Sequence, residues 1–399
     1  MKISGGRIFW AVFLAALLIR IGFVLLLPLE APDTADYQAY ALGLLNGSGF
    51  STDLYRAPLY PAFLAAVYAL LGKGFLAVRI IQAVLGAVTC GLVFLLARRI
   101  FDSPRAGILA ALAAVVSPAL VAAASYVLTE TLATFLLIGA VFLLLSGLDK
   151  QCRLDWWLAG ILFGLASLVR PSILLLPFGL AVLLPAALEK ARRPALAAGL
   201  MLGTLLAVAP WTARNYKVFH RFIPIGLGGG FNLWAGSYAP WDGDYNWRDL
   251  GAAEDLVAGL SQVEADRKYS SEAIKNIRAN PGFYARLAFR KIGRFWLQAP
   301  GSQQVLAGWP AARGLVYLAH YLTLLLAAAG GAAAILRRRR EAWLPFLVIL
   351  YFTGIHVLML ALPRYHIPAL PMVAVLAGGA AAGGGSSLAR PGPETRPDA

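Results

Sequence analysis

Two carboxylates three residues apart, Asp33 and Asp36, stand directly after the first long apolar run, with Tyr37 beside the second. If a helix begins at Pro32, both carboxylates lie on one side of its first turn. Tyr37 then begins a helical stripe that is predicted to lie on the bilayer. A carboxylate at a membrane surface can accept the proton of a hydroxyl group, which is general-base chemistry. The alternative is that Asp33 only caps the helix.

Several other charged residues are predicted on the same face of the membrane. Glu130 follows a short polar loop, where it is either a second functional acid or only a favourable charge at a helix N-terminus. The basic residues expected at this face are Arg56, Arg79, Arg170, Arg214, Lys217, Arg221 and Arg364. Arginine binds phosphate oxygens in a bidentate fork, so an acid among arginines favours transfer from a phosphate-linked donor. For any single arginine, the alternative is an anchor at the membrane interface.

The composition indicates what kind of protein must position these side chains. Of the 399 residues, 59% are hydrophobic and only 14% are charged, whereas soluble domains have about 25% charged residues. Apolar runs recur from residue 8 to residue 383, which predicts an all-α polytopic membrane protein. The net charge of +15 comes mostly from short loops between these runs. It therefore indicates membrane topology, and nucleic acid is not an expected partner.

The basic loops predict which apolar runs cross the membrane. Four loops are expected in the cytoplasm, at 98–105, 150–153, 190–193 and 337–340. All four fall on that side only if the short run 59–71 lies in the membrane plane. The ten predicted spans are about 8–28, 76–97, 105–122, 128–147, 155–169, 171–188, 194–212, 314–336, 342–361 and 365–383. Arg20, inside the first span, is expected to snorkel or to pair with a neighbouring helix.

This topology divides the chain into four predicted parts. Residues 1–213 form a seven-span catalytic membrane module, whose first outer loop is 29–76. The polar segment 214–311 is expected outside the cytoplasm, and three C-terminal spans follow at 312–383. The tail 384–399 is rich in Gly, Ser and Pro, and we expect it to be disordered and cytoplasmic.

The polar segment holds three recognisable patterns. Residues 231–236 are predicted to form an aromatic, glycine-rich loop, and residues 262–279 a helix. Residues 282–297 combine basic and large apolar side chains at helical spacing, which suits an interface with anionic lipid. Packing onto the membrane domain is the alternative. No nucleophile triad, phosphate-binding loop or zinc motif is visible in the chain, and its histidines show no ligand spacing.

A series of short motifs resembles the GT-C superfamily of membrane glycosyltransferases. It is closest to family 39, which contains protein mannosyltransferases and lipid A aminoarabinose transferases. The motifs, spread over residues 8–380, are Pro32-Asp33-Thr34-Ala35-Asp36-Tyr37, Tyr55-Arg56-Ala57-Pro58-Leu59-Tyr60-Pro61, Ala77-Val78-Arg79, Leu168-Val169-Arg170-Pro171, Pro210-Trp211-Thr212-Ala213-Arg214-Asn215-Tyr216, Phe231-Asn232-Leu233-Trp234-Ala235-Gly236, Asn280-Pro281 and Arg364-Tyr365. In that family, an aspartate of the first outer loop, four residues before a tyrosine, acts as catalytic base. Asp33 holds this position before Tyr37, and Glu130 matches a second outer acid.

The resemblance implies a GT-C fold, with in-plane helices in the first outer loop. It also implies an inverting transfer of a sugar from a polyprenyl-phosphate donor to a hydroxyl acceptor, which would be a lipid, a glycan or a protein. Asp33 and Glu130 would be catalytic. The donor phosphate would be bound by Arg56, Arg79, Arg170 and Arg364. Substrates would be contacted by Asp36, Tyr37, Tyr60, Arg214, Asn232 and Trp234.

The chain departs from the family pattern at two acids of the first outer loop. Many relatives have an acid-lysine-proline motif where this chain has Tyr55-Arg56-Ala57, and an acid where it has Thr34. A divalent metal is a candidate cofactor that the sequence does not require. Asp33 and Glu130 are its candidate ligands.

The expected location is the bacterial inner membrane, with the active site outside the cytoplasm and membrane lipids as partners. Two other functions stay open, a polyprenyl-linked lipid transporter or flippase and a non-catalytic assembly factor of the envelope. The sequence has no clear internal repeat, and its polar residues collect at one face, which favours the enzyme. If Asp33 and Glu130 face a common cavity, the assembly factor is disfavoured.

Overall fold

The computed structural model describes residues 5–50, 54–184, 192–246, 249–299, 308–336 and 340–383, and every regular element in these ranges is helical. The α-helices, α1 to α17 in chain order, are Gly5–Leu26, Asp33–Leu45, Leu59–Leu71, Phe75–Phe101, Pro104–Val115, Pro118–Ser125, Glu130–Lys150, Arg153–Val169, Leu176–Leu183, Arg193–Phe219, Gly229–Ala235, Gly251–Val257, Gln262–Ala279, Pro281–Leu297, Pro310–Leu336, Trp343–Leu358 and Leu370–Ala381. The predicted tail 384–399 lies outside the described residues.

Five of these helices, α1, α4, α7, α10 and α15, are long and apolar enough to cross a membrane. The pair α5 and α6 makes a sixth span if the two are taken together across their 50° bend. The predicted all-α polytopic membrane class is therefore confirmed. Helices α8, α9, α16 and α17 are shorter than the roughly 20 residues of a straight span, so the count of ten spans stays a prediction.

Three boundaries differ from those predicted. The span predicted at 105–122 is broken, because Pro118 cannot continue the hydrogen-bond ladder of α5 and opens α6 instead. Helix α10 continues past residue 213 to Phe219, so no helix end separates the predicted membrane module from the polar segment. The span predicted at 365–383 begins as the 3-10 helix Pro363–Ala369.

The residues predicted to form a glycine-rich loop, 231–236, belong almost entirely to α11 instead. The backbone N–H groups of Gly228 and Gly230 donate to the same carboxylate oxygen of Asp266, at 3.0 and 2.9 Å. A carboxylate at a helix N-terminus satisfies N–H groups that the helix itself leaves unpaired. Because Asp266 comes from α13, far along the chain, the local sequence did not predict this helix.

The first outer loop is built from α2 and α3, which lie side by side. The helix predicted at 59–71 is present as α3, and its orientation in the membrane plane stays a prediction. Tyr37 and Ala41 of α2 are buried in the protein core. The rings of Tyr37 and Tyr60 of α3 pack edge to face, with their centroids 5.1 Å apart. The prediction that this stripe lies on the bilayer is therefore wrong for these two residues.

Close helix packing positions the C-terminal end of α8. Its Gly160 packs against α10 so tightly that a Cβ there would lie 2.4 Å from the carbonyl oxygen of Gly199. The hydroxyl of Thr204 donates to the carbonyl of Gly160 at 3.0 Å. Small residues that let two backbones approach, joined by a hydroxyl bond, are typical of helix pairs in membranes. The pair α8–α10 thus forms a firm support for Arg170, which directly follows α8.

Arg20 pairs with a neighbouring helix, which was one of the two predicted alternatives. Its side chain is only 1% exposed, and its guanidinium donates to the carbonyls of Ala16 in α1 and Ala114 in α5, at 3.2 and 3.3 Å. Backbone carbonyls are partners that a charged side chain needs inside a membrane. Arg20 therefore fastens α1 to α5.

The basic helix predicted at 282–297 is α14, and most of its basic side chains bind other residues of the chain. Arg290 binds Asp242 through two bonds of 2.8 Å, and Arg294 lies 3.5 Å from the same carboxylate. Lys291 is fully buried, and its ammonium donates to the carbonyls of Gly236 and Met359, at 2.8 and 2.7 Å. These contacts favour packing onto the rest of the protein over a surface that binds anionic lipid.

Lys291 predicts a pH dependence of stability. Burial, together with repulsion from Arg294, lowers the pKa of Lys291 from 10.5 to about 8. Between these values the unfolded chain binds more protons than the folded one, so stability rises with pH across this window. We expect the thermal midpoint of wild type in detergent, minus that of Lys291→Met, to increase as pH rises from 8 to 10. A constant difference, like that expected for exposed Lys275→Met, would contradict this.

Candidate active site

Eight of the twelve predicted site residues meet at one large cavity of about 1580 Å³. Its walls come from α2, the loop before α3, the start of α7, the break after α8 and the segment that joins α16 to α17. The ionisable residues at its charged centre are Asp33, Asp36, Arg56, Glu130, Arg170 and Arg364. Asp33 and Glu130 therefore face a common cavity, which is the observation that disfavours a non-catalytic assembly factor.

Asp33 is held by two arginines from distant parts of the chain. One carboxylate oxygen accepts from Arg56 at 2.8 Å, and the other accepts from Arg364 at 2.5 Å. Arg56 also binds Asp36, at 2.6 Å. Asp33 is the first residue of α2, and its side chain makes no capping bond to the helix backbone. The ion pairs thus account for Asp33 better than helix capping does.

The pKa of Asp33 is the outcome of opposing effects. Burial raises it, but the charges and hydrogen bonds of Arg364 and Arg56 outweigh burial and hold the pKa below its usual value of 3.8. Asp33 is therefore ionised at neutral pH, in the state that can accept a proton. Since about a quarter of its side chain is exposed, at 24%, it can be reached from the cavity.

Glu130 and Arg170 form a second, more deeply buried pair. Their closest atoms are 3.0 Å apart, and their side chains are only 5% and 10% exposed. The hydroxyl of Thr129 lies between them, donating to Glu130 at 3.3 Å and accepting from Arg170 at 3.4 Å. The guanidinium of Arg170 also covers the ring of Tyr365, at 5.0 Å. The predicted helix break at Pro171 is confirmed, and it frees Arg170 to turn into the cavity.

Arg364 connects the two carboxylates electrostatically. Burial alone lowers its pKa, but the negative charges of Glu130 and Asp33 reverse this and raise the pKa above its usual value. Arg364 sits in the 3-10 helix Pro363–Ala369, far along the chain from both acids. Arg364 therefore places a charged hydrogen-bond donor, held by Asp33, in the lining of the cavity.

The buried pair predicts a large effect on stability. Glu130→Gln would leave the Arg170 charge buried without its partner, which typically costs about 3–5 kcal/mol. We therefore expect a clearly lowered thermal midpoint in detergent, and the double variant Glu130→Gln with Arg170→Gln should recover part of the loss. Glu272→Gln is a suitable control because its partner Lys275 is 68% exposed. An equal, small loss in both single variants would contradict the prediction.

Arg79 and Tyr60 do not reach the cavity, although both were predicted to bind ligands. The guanidinium of Arg79 donates to the carbonyls of Ser125 and Leu29, at 2.8 and 2.9 Å, and only 8% of the residue is exposed. The hydroxyl of Tyr60 donates to Gln82 at 2.8 Å, and the residue is fully buried. Both side chains bond to other parts of the chain at this position, and their predicted contacts with ligands stay a prediction.

Arg214 and Trp234 also lie outside the cavity walls. Arg214 donates to the carbonyl of Phe50 at 3.0 Å and covers the ring of Trp211 at 4.8 Å. Trp234 is 3% exposed and stacks on Tyr238, in an aromatic cluster beneath α11. Both side chains contact other parts of the chain, and their predicted role in binding substrate stays a prediction. Their neighbouring motif residues gave no sign of which way the side chains point.

The three remaining predicted substrate contacts, Asp36, Tyr37 and Asn232, line the cavity. Tyr37 supports Arg56, whose guanidinium lies 5.0 Å over its ring. The sequence interpretation missed Tyr245, which also lines the cavity and has 39% of its surface exposed. No motif surrounds Tyr245, so only the fold brings it to this site.

The metal prediction concerned Asp33 and Glu130. In the part of the chain that the structure describes, no group of three or more His, Cys, Asp or Glu side chains could hold a metal ion. The two carboxylates instead accept bonds from arginines. The donors present therefore do not form a site for a divalent cation, and the mechanism below uses none.

Comparison with known proteins adds a family resemblance to this geometry. Residues 55–213 match the family model described as dolichyl-phosphate-mannose-protein mannosyltransferase. A comparison with curated proteins finds no match. Crystal structures of ArnT from Cupriavidus metallidurans are also similar to the chain. The structure bound to undecaprenyl phosphate has 17% identity and a TM-score of 0.47, covering 96% of this chain and 78% of that one. The apo structure has 18% identity and a TM-score of 0.45, covering 94% and 78%.

The family match includes much of the charged centre of the cavity. Arg56, Glu130 and Arg170 fall inside the matched range, whereas Asp33 and Arg364 lie outside it. The match thus covers residues that the structure brings together from three separate elements. The predicted resemblance is confirmed, since residues 55–213 of this chain are similar to the dolichyl-phosphate-mannose-protein mannosyltransferase family.

Proposed function

We propose that the chain is an inverting glycosyltransferase. It transfers a sugar from a polyprenyl-phosphate donor to a hydroxyl acceptor on the outer face of the membrane. One observation carries this proposal: an ionised Asp33 faces a large cavity while it is paired with Arg56 and Arg364. A base beside cationic groups is what sugar transfer from a phosphate leaving group requires. The family resemblance supports the same reaction class.

In the proposed reaction, Asp33 accepts the proton of the acceptor hydroxyl as that oxygen attacks the anomeric carbon of the sugar. The bond from this carbon to the phosphate oxygen breaks, and its electron pair stays on the polyprenyl phosphate. Attack from the face opposite the leaving group inverts the anomeric centre. Arg364 and Arg56 stabilise the growing negative charge on the phosphate, because their guanidinium groups already point into the cavity.

The resting ion pairs also suggest an order of events. Both oxygens of Asp33 accept hydrogen bonds from arginines. A phosphate that binds between Arg56 and Arg364 competes for these guanidinium groups, and so frees an oxygen of Asp33 to accept a proton. Glu130 contributes through Arg170, which it holds at the cavity wall at 3.0 Å.

The apolar part of the cavity suits the lipid tail of the donor. Its lining includes Ala119 and Ala122 of α6, and Leu175 beyond the break after α8. Near the end of α14, the lining continues with Tyr317 and Ile355. An apolar channel that leads to a small polar centre matches a donor with a long hydrocarbon chain and one charged head. We therefore propose that the tail enters near residues 282–297.

The proposal is tested with purified protein in lipid nanodiscs and a panel of polyprenyl-phosphate sugars. We expect release of polyprenyl phosphate from at least one donor, at a rate that saturates with donor concentration. A heat-inactivated sample is the control. Movement of intact donor between leaflets of a vesicle, without loss of its sugar, would instead identify a flippase. Failure to consume any donor of the panel would contradict the proposal.

A further inference from the structure

The cavity has a wall that is formed by the polar outer segment and that the proposed chemistry does not use. The 236–246 loop provides part of it, and α14 clamps this loop. Asp242 binds Arg290 through two bonds of 2.8 Å, and Arg294 lies 3.5 Å from the same carboxylate. Gly243, with φ +67°, lets the loop turn directly after this anchor. The loop is therefore held in a defined position.

This anchored loop presents the ring of Tyr245 to the cavity. Two aromatic neighbours support the ring in edge-to-face arrangements. Its centroid lies 6.1 Å from that of Phe231 and 6.2 Å from that of Trp241. The rest of the side chain is open, at 39% exposure. Tyr245 and Asp33 line the same cavity. Burial and the negative charge of Asp33 also raise the pKa of the Tyr245 phenol. An exposed, well-supported aromatic ring thus stands near Asp33.

Polar side chains line the same cavity as this ring. Asn232 and Glu254 line the same wall, and the ring of Tyr269 contributes to it. An aromatic face offers an apolar platform, while amide and carboxylate groups donate to and accept from hydroxyls. A ring-shaped polyol needs this combination, because its C–H faces are apolar and its edge carries hydroxyl groups.

We propose that the acceptor is a carbohydrate whose sugar ring packs on Tyr245 while one of its hydroxyls approaches Asp33. This inference rests on the proposed glycosyltransferase function and specifies its acceptor. Tyr245 acts as a specificity-determining residue, because it binds the acceptor and takes no part in breaking the bond to the donor phosphate. The other acceptor class, a protein with serine or threonine hydroxyls, is an outcome of the test.

The test uses purified protein in nanodiscs, a polyprenyl-phosphate sugar that wild type consumes, and two acceptor sets. One set contains alkyl glycosides, and the other contains serine- and threonine-containing peptides. We expect transfer to glycosides, with an acceptor KM that rises about tenfold or more in Tyr245→Ala, which corresponds to a contact of ~1.4 kcal/mol. Tyr245→Phe, which keeps the ring, should stay within about threefold of wild type.

The readouts separate this inference from the reaction itself. The donor KM, and the rate at which donor is hydrolysed without acceptor, should be unchanged in Tyr245→Ala. Tyr216→Ala is the matched control, since Tyr216 is 59% exposed on α10 and lies outside the cavity lining. Transfer to peptides alone would overturn the carbohydrate acceptor and keep the transferase. An unchanged glycoside KM in Tyr245→Ala would overturn the proposed packing of the acceptor on Tyr245. A wild-type protein that consumes no donor would overturn both proposals.

Discussion

Asp33→Asn is expected to reduce sugar transfer by about 10³-fold, within the range that a general base contributes. The asparagine has nearly the same size, but its amide cannot take the proton of the acceptor hydroxyl. The rate is measured with purified variants at saturating donor, so that a change in donor affinity does not mask the effect. A variant that keeps more than a tenth of the wild-type rate would exclude Asp33 as the base.

A matched control separates the base from the loss of an ion pair. Asp36→Asn removes the same charge from the same helix turn, and it also removes a partner of Arg56. Asp36 is 55% exposed, so little stability depends on its pair with Arg56. We expect only a small change in rate. Equal losses in the two variants would mean that the arrangement of Arg56 matters, and that neither carboxylate is the base.

Arg364→Gln should give the second large effect, a loss of about 10²–10³-fold in kcat. The variant removes the positive charge that would stabilise the departing polyprenyl phosphate. Arg364→Lys keeps the positive charge but loses the planar, bidentate hydrogen bonding of the guanidinium, so its rate should lie between those of Arg364→Gln and wild type. Arg286→Gln, which removes an exposed arginine of α14, is the control and should have no effect. An unchanged kcat in Arg364→Gln would exclude Arg364 from binding the phosphate.

The same variant makes a prediction about pH. Arg364 is the leading cause that lowers the pKa of Asp33 against the effect of burial. Without it the pKa of Asp33 rises, so the carboxylate becomes protonated at a higher pH during acidification. Since the base must be deprotonated, the acid limb of the kcat/KM profile should move to higher pH in Arg364→Gln. A limb that stays in place would show that another group controls it.

The sequence predicted the charged centre of this site better than its surroundings. Asp33, Arg56 and Glu130 were placed correctly at one cavity, because the basic loops indicated which segments share a face of the membrane. Arg364 was also placed correctly, although it comes from the far end of the chain. A count of spans suffices for such predictions, since every outer loop starts from the same surface.

The direction of individual side chains was less predictable. Arg79 and Arg170 both follow a short apolar motif, yet Arg79 donates to the carbonyl of Ser125 and Arg170 to the carboxylate of Glu130. Whether an arginine meets a carbonyl or an incoming ligand depends on tertiary packing, which no local pattern encodes. Tyr245 was missed for the same reason, since contacts with α14 bring its loop to the cavity.

The most direct test of the central claim is sugar transfer in isolated membranes, with labelled polyprenyl-phosphate sugars and the acceptors already present. Wild type and Asp33→Asn are compared at equal amounts of folded protein. We predict that label leaves the lipid and appears in a product with wild type only, and that this product is a glycan or a glycolipid. Label that moves equally in both membranes, or that stays on the lipid in both, would contradict the account.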